Sequence, residues 1–429
     1  MASTSGRLRD MARGISALGY LGWRMVAIGF VILFFAFGGP VSSIPMLYAE
    51  VMREFGWNST EATLIYTFSS AGGAFVALAL LGRLIDRFGL RAMLIAFLLM
   101  QAGGMASLLA VNSLASYYLA GLMMGLGQGT NLICVMLLVT RWFTRHVGLA
   151  CGIAMMGSSL GGVFFPQLVN QLLPAIGWRY TFAGLGVGII VIGLPLALVA
   201  RYQPSEEELL REAVPDSDLS AQDLRAADLG LSFGQVLRMP MFWLVAAAVA
   251  LTSAVDQGVF QHTALFLTKE VRLSSAVAAT AISVIFAIGF FAKLVAGRVF
   301  DKLSIRGVAL WYVLVAMAIL LAFIVTDVWT AMLFAGVRGF VHGGLVSETS
   351  VVGKHCFGPR LLNRVLPFYA GCFSLGSGIG PVSLAAIYDA TGSYSAGFII
   401  FAVVALAAAL LLVRVRPLYR DRLQAAISG

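Results

Sequence analysis

Apolar runs follow one another along almost the whole chain, parted by short polar stretches. Twelve of them reach the roughly 20 residues that a helix needs to cross a bilayer. They lie approximately at 25–49, 61–81, 92–112, 115–139, 147–174, 180–201, 242–268, 274–296, 307–326, 329–352, 364–388 and 394–414. The pattern predicts helices, because lipid satisfies no open backbone group. A barrel would instead show alternating segments of about 10 residues. One long polar stretch, 202–238, breaks the series; it is acidic and punctuated by Pro204 and Pro215. It reads as a cytoplasmic linker with one short helix, between a six-helix unit at 1–201 and another at 239–429.

The two units repeat each other. "GRLIDRFGLR" (82–91) between helices 2 and 3 recurs as "GRVFDKLSIR" (297–306) between helices 8 and 9. "REFGWNS" (53–59) before helix 2 resembles "KEVRLSS" (269–275) before helix 8, and Gly121 and Gly129 of helix 4 fall opposite Gly336 and Gly344 of helix 10. Duplication of a six-helix unit is a signature of secondary transporters, with the substrate site between the repeats near the membrane midplane.

Composition agrees: 60% of residues are apolar and 11% charged, against about 25% charged in soluble domains. The net charge of +9 raises nucleic acid as a partner, but the placement of the charges excludes it. Most of the 29 Lys and Arg fall on alternate inter-helix segments. They include Arg7, Arg9, Arg13 and Arg24, the motif arginines, Arg141 and Arg145, Arg211 and Arg225, Lys354 and Arg360, and Arg414 and Arg416. The opposite loops hold only Arg53, Arg179, Lys269 and Arg272. By the positive-inside rule both termini are cytoplasmic, in the cytoplasmic (inner) membrane. No basic patch with interleaved aromatics stands apart from the helices. The first apolar run is long enough to remain as an anchor. Cys134, Cys151, Cys356 and Cys372 show no ligand spacing and read as small apolar residues. "NST" at 58–60 reads as the cap of helix 2.

The decapeptide resembles the loop motif of the major facilitator superfamily, and the likeness covers essentially the whole chain. Gly82, Asp86, Arg87, Gly89 and Arg91 fill the pattern; the second copy has Gly297, Asp301, Lys302 and Arg306, with Ser304 where glycine is usual. "RWFTRHVGLACGIAMMGSSLGG" (141–162) and "FGWNSTEATLIYTF" (55–68) are similar to stretches of monocarboxylate transporters and oxalate/formate antiporters. The resemblance implies an all-α fold of two six-helix bundles, with helices 1, 4, 7 and 10 lining a cavity. It implies that the motif latches the inner face in the outward-open state, and that the chain works as a monomer. It also implies that a basic residue four positions before the motif glycine on helix 8, here Lys293, binds the substrate carboxylate. The chain departs from the family at Gly289, where animal members carry an acid, and at "FAFGGPVSS" (35–43), where their acidic motif on helix 1 stands.

Ionisable residues inside spans cost roughly 2.5–3.5 kcal/mol each on insertion scales, so each needs a reason. They are Asp256 and His262 on helix 7, Lys293 on helix 8, and Arg338, His342 and Glu348 on helix 10. Lys293 either anchors an anion or snorkels to the interface. Arg338 has a planar fork that suits a carboxylate; it either binds substrate or pairs with Asp256. His342 follows one turn later on the same face. Asp256 is the candidate proton carrier, since burial and a nearby arginine pull its protonation in opposite directions. Gln128 and Asn131 are candidate hydrogen-bonding groups on helix 4. The glycine runs "GLMMGLGQG" (121–129) and "GSGIGP" (376–381) lack the lysine of a phosphate loop and read as close helix contacts.

The sequence therefore predicts a secondary transporter, not an enzyme, with no cofactor or metal. The expected cargo is a small organic anion, a monocarboxylate, carried with a proton or exchanged for a counter-anion. Two alternatives stay open: an efflux pump of the same fold, weakened by the absence of Gly-Pro in "GSSLGGVFFPQ" (157–167), and a transporter-like sensor.

Overall fold

The computed structural model describes residues 21–143, 147–203, 230–345 and 348–422 of the 429. The predicted linker lies largely outside the described residues, as do both termini, Arg7, Arg9, Arg13, Arg145, Arg211 and Arg225; the side chains of Asp301 and Arg360 do too. Every regular element among the described residues is helical. In chain order they are α1 (Leu21–Phe55), α2 (Ser59–Phe75, running on through a π-turn at Val76–Leu80), α3 (90–107), α4 (Leu114–Thr140), α5 (147–176) and α6 (178–199). Then come α7 (Pro240–Leu265), α8 (Ser275–Leu303), α9 (Ile305–Leu320), α10 (Val328–Leu345), a further segment Glu348–Phe357, α11 (Pro359–Thr391) and α12 (Ser395–Val413). Among the described residues, 9 helices are long and apolar enough to cross a membrane. One of these, Leu149–Val199, contains both α5 and α6, because the backbone leaves the helix at Gly177 (φ 74°, ψ 166°). The other two spans are α2 and α10, the latter lowered in hydropathy by Arg338 and His342.

The duplication is visible in backbone and side chains alike. The motif turns at Gly89 (φ 82°) and Ser304 (φ 55°), which occupy matching positions in the two decapeptides, both adopt the left-handed half of the map. This conformation costs glycine little, whereas Ser304 adopts it under strain while its hydroxyl bonds His355 Nδ1 at 2.9 Å. Gly56 (φ 71°) and Arg272 (φ 61°) match in the same way before α2 and α8. The acid two residues earlier repeats its task. Glu54 accepts from Trp178 Nε1 (2.6 Å) and Arg179 Nη1 (2.5 Å) at the start of α6. Glu270 accepts from Ser393 Oγ (2.9 Å) and the Tyr394 amide (2.7 Å) at the start of α12. The predicted cap of α2 is present: Asn58 accepts from the Glu61 amide (2.8 Å) and Glu61 accepts from the Asn58 amide (2.9 Å).

Glycine lets α2 lie against α4 and α8 against α10 with no side chain between them. A Cβ on Gly125 would overlap the Ser69 carbonyl, and one on Gly343 would overlap Gly289. Gly339 and Gly343, rather than Gly336 and Gly344, make the α8 contact; Gly336 has open space beside it and Gly344 faces Trp311.

Candidate functional site

A cavity of about 360 Å³ lies between the two halves, within the range of small-molecule sites. α1, α2, α4 and α5 line it from one side (Phe37, Tyr66, Gln128, Ser159), and α7, α8, α10 and α11 from the other (Asp256, Lys293, His342, Ser377). The sequence places three charges beside it.

On α7, Asp256 is 1% exposed and takes two partners from α10. Its Oδ1 accepts from Arg338 Nη2 at 2.9 Å and its Oδ2 from His342 Nδ1 at 2.7 Å, and its own carbonyl accepts from Arg338 at 3.1 Å. Arg338 and His342 meet one carboxylate because residues four apart share a helix face. Arg338 is 2% exposed and forms no part of the cavity wall; His342 is 15% exposed and does. The His342 ring stacks on Phe260 (5.4 Å between centroids) and meets Phe286 edge-on. Breaking such a buried pair strands a charge at a cost of about 3–5 kcal/mol.

Lys293 reaches the cavity from α8, and its Nζ donates to Ser159 Oγ of α5 at 2.7 Å. Among the described residues no carboxylate stands within ion-pair distance of it. Gln128 lines the wall with its Oε1 unpartnered. Asn131, one turn on, turns away and donates to Gln101 Oε1 at 2.8 Å inside the first bundle. His262 is buried between the Tyr394 hydroxyl and the Pro381 carbonyl, both at 2.9 Å.

Sequence reasoning passed over Tyr66, Gln257, Tyr48, Gln261 and Ser159. Tyr66 Oη donates to Gln257 Oε1 and Tyr48 Oη to Gln261 Oε1, both at 3.0 Å, each pair bridging the halves. Neutral polar side chains leave little mark on a hydropathy pattern. The only signal was the pair of amides on α7, Gln257 and Gln261, four apart on one helix face.

The bonds that join the halves gather toward the face bearing the Gly56 and Arg272 turns. There Asp389, at the end of α11, accepts from the amides of Ser59 (3.0 Å) and Thr60 (2.8 Å) and from the Thr60 hydroxyl (2.6 Å), at the N-terminus of α2. Gln167 donates to Ser283 Oγ (3.3 Å), which donates to the Val163 carbonyl (2.7 Å). At the decapeptide face, Asp86 and Arg87 are exposed, and Asp86 has no ion pair among the described residues. Arg91 donates to the Leu198 carbonyl, the Lys302 carbonyl accepts from Arg420 Nη2 (2.9 Å), Gly82 and Gly297 have open space beside them, and Arg306 is exposed. The cavity extends toward this face, where Ala77, Met155 and Thr349 line it. Among the described residues, no group of His, Cys, Asp and Glu is placed to hold a metal ion.

Comparison with known proteins agrees with this architecture. The chain is 28% identical to monocarboxylate transporter 9 of Gallus gallus over 46% of its own length and 39% of that protein's. It is 24% identical to the aspyridones efflux protein apdF of Emericella nidulans over 77% and 63%. It is 28% identical to the oxalate:formate antiporter of Oxalobacter formigenes over 38% and 36%. The alignments with the first and third thus span less than half of those relatives. A bacterial homolog of the human lysosomal transporter Spinster, solved in an inward-facing and unoccupied conformation, superposes with a TM-score of 0.67 at 16% identity, over 94% of this chain and 97% of that one. At that identity the likeness speaks for the fold alone. The pattern of the Major Facilitator Superfamily matches residues 26–341, and the chain belongs to that family of membrane transporters.

Proposed function

We propose that the protein carries a small organic anion, a monocarboxylate, across the cytoplasmic membrane by alternating access, with a proton as the coupled ion. The observation that carries this reading is Lys293: an ammonium on the cavity wall whose described partner is the Ser159 hydroxyl. Low dielectric amplifies its attraction for an anion, and Gln128, Tyr66 and His342 offer hydrogen bonds around it. The names of two relatives, a monocarboxylate transporter and an oxalate:formate antiporter, support the same chemistry. Arg338 takes no part in binding; it neutralises Asp256. The positive-inside rule orients the decapeptide face to the cytoplasm, so the described state opens inward and the Asp389 contact closes the outer side.

The test is uptake of radiolabelled lactate, pyruvate, formate and oxalate into proteoliposomes. Lys293→Gln is expected to weaken apparent affinity about 30-fold or more, the equivalent of at least ~2 kcal/mol. Unchanged uptake in that variant contradicts the reading. The likeness to apdF favours export of a larger organic molecule as a second reading; resistance conferred in a pump-deficient host, with no anion uptake, would establish it instead.

A further inference from the structure

The segment that follows α10 begins with a carboxyl group that the reading above leaves unused. Glu348 is 0% exposed, and among the described residues neither of its oxygens makes a hydrogen bond of ordinary geometry. Beside it stands the hydroxyl of Tyr312 from α9, and beside that the hydroxyl of Thr252 from α7, both fully buried. Four polar atoms from three elements thus share one apolar interior. It adjoins the cavity, because the next residue, Thr349, lines the wall, and Thr252 sits one turn before Asp256 on α7.

An ionised carboxylate in such a place requires a cation or several donors. Among the described residues, the cations and histidines on the packed elements are otherwise engaged or exposed. Arg338 and His342 of α10 hold Asp256, Lys293 of α8 bonds Ser159, and His355 of its own segment bonds Ser304, while Lys354 of that segment, Arg298 and Lys302 of α8, Arg306 of α9 and Arg364 of α11 are exposed. The titratable groups acting on Glu348 are Tyr312 and Asp256, and neither brings positive charge. A protonated carboxyl needs one acceptor for its O–H, and a hydroxyl oxygen suffices.

We infer that Glu348 is the group that binds and releases the coupled proton, with Tyr312 and Thr252 as its neutral partners, while Asp256 stays paired throughout. This rests on the reading that Lys293 binds an anion. Charge balance links the two ligands. With Glu348 protonated and Asp256 paired, Lys293 is the uncompensated charge, and a monoanion brings the interior to zero. With Glu348 ionised, Glu348 and Lys293 balance, and an added anion leaves the interior negative. The proton therefore raises anion affinity, and the anion raises proton affinity by the same factor. The proton comes from water in the cavity and returns to water on the other side, so one anion and one proton cross with no net charge moved.

Infrared spectroscopy of the purified full-length protein across pH tests this directly. The carbonyl band of a protonated carboxyl is expected in the wild type at neutral pH and absent from Glu348→Gln. Wild-type affinity for a radiolabelled monocarboxylate should fall about tenfold per pH unit above the midpoint of that band, while Glu348→Gln binds independently of pH. In proteoliposomes the variant should retain anion exchange and lose accumulation driven by a pH gradient. Tyr312→Phe, which keeps the carboxyl, should keep the band with a shifted midpoint. The inference is overturned if the band persists in Glu348→Gln, if that variant accumulates anion against a gradient as the wild type does, or if sodium rather than pH sets wild-type affinity. Absence of anion binding in the wild type at every pH sinks the Lys293 reading and this inference together. Binding whose pH profile is unaltered in Glu348→Gln sinks the coupling alone.

Discussion

Asp389→Ala removes a bond across the halves that the structure describes atom by atom. The first amides of a helix have no partner within it. At α2, Asn58 serves the amide of Glu61, and Asp389 of the other half serves those of Ser59 and Thr60. The substitution thus removes two amide bonds and one hydroxyl bond to a carboxylate. A bond to a charged group is worth about 1.5–3 kcal/mol when sheltered, and a lost helix cap about 1 kcal/mol. Asp389 is exposed and Thr60 half-buried, and water replaces the bonds when the halves part, so about 1–2 kcal/mol is the net expectation. This shifts the ratio of states closed and open at this face by about 5–30-fold. Spin labels at Asn112→Cys and Thr326→Cys, on exposed turns of the two halves at this face, report it by pulsed electron resonance once the four native cysteines are replaced. A growing long-distance population in Asp389→Ala is expected, with Asp389→Asn intermediate. An unchanged distance distribution refutes the reasoning.

Three further outcomes follow from the packing. Gly125→Ala forces a methyl into the Ser69 carbonyl and should abolish folded yield on size-exclusion chromatography, whereas Gly336→Ala, beside open space, should be neutral. Asp256→Asn leaves Arg338 buried with no counter-charge and should destabilise the protein by about 3–5 kcal/mol; the double variant Asp256→Leu/Arg338→Leu should regain most of the lost melting temperature. Arg272→Gly relieves a left-handed non-glycine residue (φ 61°), worth about 1 kcal/mol, and should raise the apparent melting temperature with transport unchanged.

Much of the fold was legible because lipid demands long apolar helices and duplication writes each turn twice. Gly89 announced one reversal, and the repeat carried it to Ser304 despite the changed residue. Which glycines of α10 meet α8 was not legible, since Gly336, Gly339, Gly343 and Gly344 stand on different faces of the helix and only the packing shows that Gly339 and Gly343 make the contact. At the site, charge in an apolar run pointed to Asp256, Lys293, Arg338 and His342 without saying which would pair. Spacing put Arg338 and His342 on one face; only the packing of α7 against α10 shows that Asp256 takes both, leaving Lys293 without a described carboxylate partner. Asn131 and Gln128 are three apart on α4, yet one meets Gln101 and the other the cavity, a difference of helix rotation. Asp389 is not among the residues the sequence singles out, because its partners are backbone amides of the other half and no side-chain pattern encodes them.

Equilibrium binding of radiolabelled monocarboxylates to the purified protein tests the central claim most directly, comparing wild type with Lys293→Gln and Lys293→Arg. Saturable binding by the wild type is expected, weakened about 30-fold or more in Lys293→Gln and largely retained in Lys293→Arg, which keeps the charge. Equal affinity in all three proteins would contradict the assignment of Lys293 as the anion's partner.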